Sequence, residues 1–89
     1  MSDLRIANRS PKRSFDEIRT AMLIELAKSQ KTINDLAKSS GVNWKTTQNH
    51  LIYLVGMGFA TEVFNSPYVR IFEITEKGKE HVKKIQEGK

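Results

Sequence analysis

An α+β domain of four helices and one β-hairpin is the fold class this sequence predicts, on three observations. Residues 36–59, LAKSSGVNWKTTQNHLIYLVGMGF, read as helix, tight turn, longer helix and stop. Residues 59–74 then alternate with a period of two, interrupted by the turn formers Asn65-Ser66-Pro67-Tyr68. SFDE upstream and ITEKGKE downstream open a helix on either side. The chain of 89 residues is short enough to be one domain, placed at 14–87 and preceded by a basic arm over 1–13.

The central stretch is justified first. Gly41 falls where a chain leaving a helix needs positive φ, which glycine adopts at little cost. Val42 points back inward, and Asn43 is a good N-cap for the helix that follows. Over 44–57, Thr47, Leu51 and Leu54 recur at spacings of four and three and make the buried face. Helical geometry then turns Lys45, Gln48, Asn49 and Ile52 outward, with Thr46 and Tyr53 on one flank and Trp44 and Gln48 on the other. His50 leans inward as a packing histidine. Gly56 and Gly58 end the helix. No Asp or Glu lies between Asp35 and Glu62, so the stretch is electrically open to phosphates.

The first helix starts at Ser14, where Ser14 and Glu17 form a capping box. Phe15, Ile18, Met22 and Leu26 make its core face, widened by Leu23 and Ala27. Ile24 falls on the far side, as an isolated exposed residue or as a dimer contact. SQKT, residues 29–32, is read as a break, after which Thr32 and Asp35 cap a short helix that buries Ile33, Leu36 and Ala37.

The hairpin pairs strands 59–64 and 69–74. Alternation puts Val63, Val69 and Ile71 on one face and Phe64, Phe72 and Ile74 on the other. Ser66 to Tyr68 form its tip, with Arg70 just behind, either paired with Glu62 or turned to a ligand. Thr75 caps the last helix, which Val82 and Ile85 anchor. Two anchors dock a short helix but do not sustain a coiled coil.

Composition narrows the function. Fifteen Lys and Arg against ten Asp and Glu leave a net charge of +5, which suits an anionic partner. There is no cysteine, hence no disulfide or thiolate metal site. His50 and His81 lack metal-ligand spacing, and no nucleophile–base pair, carboxylate pair or phosphate-cradling glycine loop is visible. An enzyme, a bound cofactor and a membrane span are therefore not expected, and a cytoplasmic, nucleoid-associated protein is. In 1–13, Arg5, Arg9, Lys12 and Arg13 face one acid, Asp3. That segment is read as a frayed terminus or as an arm along DNA.

A helix-turn-helix followed by a β-hairpin is a winged helix. The order LAKSSGV, NWKTTQNHLIYL, GMGF, hairpin, FEITEKGKE resembles the winged-helix transcription regulators over residues 14–86. TQNHLIYLVGMGF resembles the recognition helix of the arsenic-repressor-like family, and ITEKGKE resembles the strand-to-helix junction of small archaeal regulators. The resemblance implies a double-stranded DNA-binding homodimer that regulates transcription. Helix 44–57 would read the major groove and hairpin 59–74 would contact the flanking backbone. It also implies DNA-facing positions at Lys45, Thr46, Gln48 and Asn49, to which the helix start and the wing add Asn43, Trp44, Ser66, Tyr68 and Arg70. Trp44 is weighed there against covering the core edge. The metal-sensing cysteines of the arsenic-repressor type are missing, so neither metal sensing nor a small-molecule effector is implied. Two other functions fit the same residues: an architectural DNA binder without a strict site, and a protein-docking module.

Overall fold

The computed structural model describes residues 14–88. The reading of residues 1–13 as a basic arm lies outside the described residues. Four helices and three strands follow in order: α1 (Phe15–Lys28), β1 (Lys31–Thr32), α2 (Ile33–Ser40), α3 (Trp44–Gly56), β2 (Ala60–Asn65), β3 (Arg70–Ile74) and α4 (Glu76–Glu87). The fold class is the α+β arrangement that the sequence predicts.

Local chemistry sets the helix starts. Ser14 and Glu17 exchange side-chain-to-backbone hydrogen bonds, as do Thr32 and Asp35, so both capping boxes are complete. The bond that Asp35 accepts from the Thr32 backbone holds its carboxyl below the usual range. Asn43 Oδ1 accepts from the Thr46 amide at 2.8 Å and opens α3. Gly41 ends α2 in the left-handed region at φ 73°, as its position in the sequence requires. Gly56 is the last residue of α3, and Gly58, at φ 83°, turns the chain into the sheet.

The core gathers Ile18, Met22, Leu23 and Leu26 of α1, Ile33 and Leu36 of α2, and Leu51 and Leu54 of α3. Ala60, Phe72 and Ile74 from the sheet and Val82 from α4 complete it. Two buried hydroxyls are satisfied by their own helices: Ser40 donates to the Leu36 carbonyl and Thr47 to that of Asn43.

The structure corrects four sequence expectations. Phe15 is in phase with the core face of α1 but one turn beyond its end, and is 64% exposed. Ala27 lies past Leu23 on the helix circumference and is exposed as well. Ile24 is half-buried against the core, because α1 touches all three other helices and β3 and so presents little free surface. Residues 31–32 are an edge strand, not part of a break: Lys31 pairs with Phe72 and Thr32 with Ile71, giving a three-stranded antiparallel sheet in the order β1-β3-β2.

The hairpin carries a further correction. Glu62 pairs with Phe72 but Phe64 pairs with Ile71, so Val63 is an extra residue on β2. One inserted residue moves every later side chain on that strand to the opposite face. Phe64 therefore parts from Phe72 and Ile74 and joins Ile71, and it is exposed.

Candidate nucleic-acid interface

Helix α3 presents the face that the capping and core residues force outward. With Thr47, His50, Leu51 and Leu54 buried, the opposite stripe is Lys45, Asn49, Ile52 and Gly56, and all four are exposed. Gln48 stands on the flank toward the wing and is half-exposed. Neither amide side chain is covered by the core.

The wing closes a groove against this flank. Thr32, Ile33 and Asn34 at the start of α2, Trp44 and Gln48 on α3, and Ser66 to Arg70 line a hollow of about 300 Å³. Trp44 is 45% exposed and forms one wall of the groove. Behind it, a smaller hollow of about 140 Å³ lies between Gln48, Ile52 and Val55 of α3 and Glu62, Arg70 and Phe72 of the wing root. Gln48 and Arg70 are common to both.

Arg70 is paired. Its Nε donates to Glu62 Oε2 at 2.6 Å and its Nη2 to Glu62 Oε1 at 3.2 Å, a two-pronged contact across the hairpin. The bond from Arg70 holds the Glu62 carboxyl below the usual range, and the reciprocal bond raises Arg70 further. Two of the three guanidinium nitrogens thus brace the wing root. Ser66 likewise holds the turn: its Oγ accepts from the amides of Tyr68 and Val69 at 3.2 and 3.0 Å. The residue that projects is Tyr68, 93% exposed at the tip. Asn43 gives its oxygen to the α3 cap, and Thr46, on the other flank, is half-exposed.

The structure thus brings Trp44, Gln48, Ser66, Tyr68 and Arg70 to one groove and sets Lys45 and Asn49 on the ridge beside it. Sequence reasoning missed Asn34, which lines the groove because β1 draws the start of α2 against the sheet. A two-residue strand has no readable period, so no local signal marks it.

Sequence reasoning also missed Arg19, which ties α1 to α3. Its Nε donates to His50 Nδ1 at 3.1 Å, and its guanidinium carbon lies 3.6 Å from the Tyr53 ring centroid. His50 Nε2 is buried without a hydrogen-bond partner. Burial, and then the Arg19 charge, push the imidazole below its ordinary value of 6.5. The unfolded chain takes up this proton near pH 6.5, whereas the folded chain takes it up only at lower pH. The contribution of neutral His50 is therefore complete above pH 6.5 and is lost as the pH falls below it, until the folded imidazole is itself protonated. Denaturant midpoints measured across this range should drop on the acid side for the native chain and stay flatter for His50→Gln.

Among the described residues, no group of three or more His, Cys, Asp or Glu is arranged to hold a metal ion, and no helix is long and apolar enough to cross a membrane.

Three helices with a glycine-turned helix pair, a braced hairpin beside the third helix and a fourth helix closing the core define a winged-helix domain. The chain belongs to the winged helix-turn-helix family, whose model matches residues 12–89. Solved structures share the fold. The transcriptional regulator BldR from Sulfolobus solfataricus superposes with a TM-score of 0.74 at 19% identity, over 80% of this chain and 52% of its own. Sso10a-2, a DNA-binding protein from Sulfolobus solfataricus, gives 0.72 at 29% identity, over 84% of this chain and 77% of its own. The MepR protein of an S. aureus MepR–DNA complex gives 0.74 at 21% identity, over 82% of this chain and 64% of its own. The chain thus spans about half the length of BldR. No curated protein matches it.

Proposed function

We propose that this domain binds double-stranded DNA as a transcriptional regulator, with α3 in the major groove and the wing over the adjacent backbone. The observation that carries the reading is the outward face of α3. Lys45, Asn49 and the flanking Gln48 are uncovered on a stretch with no acid between Asp35 and Glu62. An amide side chain matches the donor and acceptor of adenine in the major groove, and a lysine meets a phosphate or a guanine edge. The family and the DNA-binding protein Sso10a-2 support the same assignment. Of the wing residues, Tyr68 makes the contact, while Ser66 and Arg70 hold it in place. Trp44, Asn43 and Thr46 flank the contact at the head of α3.

The reading includes a two-fold dimer on paired half-sites. The outward stripe of α3 carries one cation, Lys45, so a single copy neutralises few phosphates, and two copies add their contacts. Regulation is by occlusion of polymerase, and no catalytic step, cofactor or effector enters it. Such a protein works in the cytoplasm, on the nucleoid.

Binding to a selected and a scrambled duplex at two salt concentrations tests the reading. Lys45→Ala should weaken binding to both duplexes and reduce the salt slope by about one. Gln48→Ala and Asn49→Ala should each cost about 1–3 kcal/mol on the selected duplex and little on the scrambled one. Equal losses on both duplexes for all three variants would favour an architectural binder. A chain that ignores DNA at low salt would favour a docking module, for which the exposed Phe64, Val63 and Tyr68 of the wing are the candidate contact.

A further inference from the structure

We propose that Ile52 reads the 5-methyl group of a thymine, so that the site recognised by α3 is centred on an A·T pair or on adjacent A·T pairs. This rests on the DNA-binding reading above and adds a base to it.

Ile52 is 61% exposed, while its neighbour Leu51 is 1% exposed. It stands in the middle of the outward stripe, three residues after Asn49 and four after Gln48, so the three side chains share one surface of α3. Four residues further on, Gly56 has no side chain, and no atom lies within 4 Å of where its Cβ would sit, so the surface there is open; toward the wing, Ile52 borders the smaller hollow with Gln48 and Val55. A β-branched residue also has few rotamers to lose, which favours a fixed contact over a mobile one.

The chemistry of the duplex selects the partner. The floor of the major groove is made mostly of hydrogen-bond donors and acceptors, and the thymine methyl is its one methyl and its largest apolar group. An isoleucine laid against any other base edge would cover a polar group without pairing it, at a cost. Against the methyl it removes apolar surface from water on both sides. The adenine of the same pair presents, in the same groove, the donor and acceptor that Asn49 or Gln48 can match. The amide and the isoleucine, one turn apart, are therefore complementary to two halves of one kind of base pair.

The test uses the full chain and a duplex enriched from a random pool. Each thymine of that duplex is replaced singly by deoxyuridine, which keeps base pairing and the O4 acceptor and removes only the methyl. At one or two positions the native chain should bind about four-fold more weakly, the value of one buried methyl. Ile52→Ala should bind more weakly than the native chain and lose nothing more at those positions. Native binding that is unchanged by deoxyuridine at every position overturns the proposal while leaving the DNA-binding reading intact. An equal further loss for Ile52→Ala also overturns it, since the methyl would then be read by another residue. A native chain that enriches no duplex overturns both. The uracil series on the native chain needs no variant, so its outcome does not depend on how Ile52→Ala folds.

Discussion

Gly78→Ala should destabilise the domain by about 3 kcal/mol or more, the upper range for forcing atoms into a packed interior. A Cβ at this position would stand 2.1 Å from the Phe59 carbonyl oxygen and 2.6 Å from Ile74 Cγ1. The first of these is backbone and cannot swing away. The same carbonyl accepts from the Thr75 amide at 3.0 Å, and Thr75 Oγ1 donates to the Gly58 carbonyl at 2.6 Å. Making room for a methyl group therefore means lifting α4 off the Gly58–Phe59 turn and stretching the bonds that dock it. The Phe59 ring would also lose its stacking on His81, now at 4.4 Å between centroids. The thermal midpoint should fall by on the order of 15 °C for a domain of this size. Gly56→Ala is the matched control. It adds the same atom to the last residue of α3, where nothing lies within 4 Å, and should stabilise the fold by about 0.5–1 kcal/mol. A Gly78→Ala protein as stable as the native chain would show that α4 tolerates displacement and that its docking adds little.

The second large effect is expected at Leu51. Its side chain is 1% exposed and belongs to the core cluster that also holds Met22, Leu36 and Leu54, where α3 meets α1 and α2, and removing it leaves a hole there. Leu51→Ala should cost about 2–5 kcal/mol, which combines lost transfer energy with the residual cavity. Denaturant titration reads this as a lower midpoint with an unchanged slope. The comparison with Ile52→Ala is informative, because these neighbours differ sharply in burial: Leu51 lies in the core, and Ile52, about 100° further round α3, is exposed. The inward truncation should lower stability, and DNA binding with it only as folded protein is lost. The outward one should leave stability within a few tenths of a kcal/mol and change binding alone. If Ile52→Ala were the destabilising member of the pair, the outward stripe would be wrongly assigned and the proposed interface with it.

Much of this molecule was legible one residue at a time. Ser14 with Glu17, Thr32 with Asp35, and Asn43 mark helix starts because a capping side chain bonds a backbone amide within its own turn. Gly41 marks a helix end for an equally local reason. Thr47, Leu51 and Leu54 declare the inner face of α3, and the outer face with Lys45 and Asn49 follows from 3.6 residues per turn. Period and capping act within a few residues, so a sequence states them directly.

What escaped that reading depends on distant parts of the chain. Phe15 has the right phase for the core, yet the core ends before it, and only packing decides where a core ends. The two residues of β1 become a strand because β3 lies beside them. Val63 becomes a bulge because Phe64 takes Ile71 as partner, which reverses the face that alternation assigns to Phe64. Arg70 had two readings in the sequence, and the nearness of Glu62 across the hairpin settled its pairing. The link between Arg19 and His50 joins residues 31 positions apart. The helices, their caps and the outward side of α3 can be read from the residues alone, since those follow from short-range geometry. The tertiary structure alone decided the groove between α3 and the wing, the residues that brace it and the side chains left free to touch a partner, since those depend on which segments meet in space.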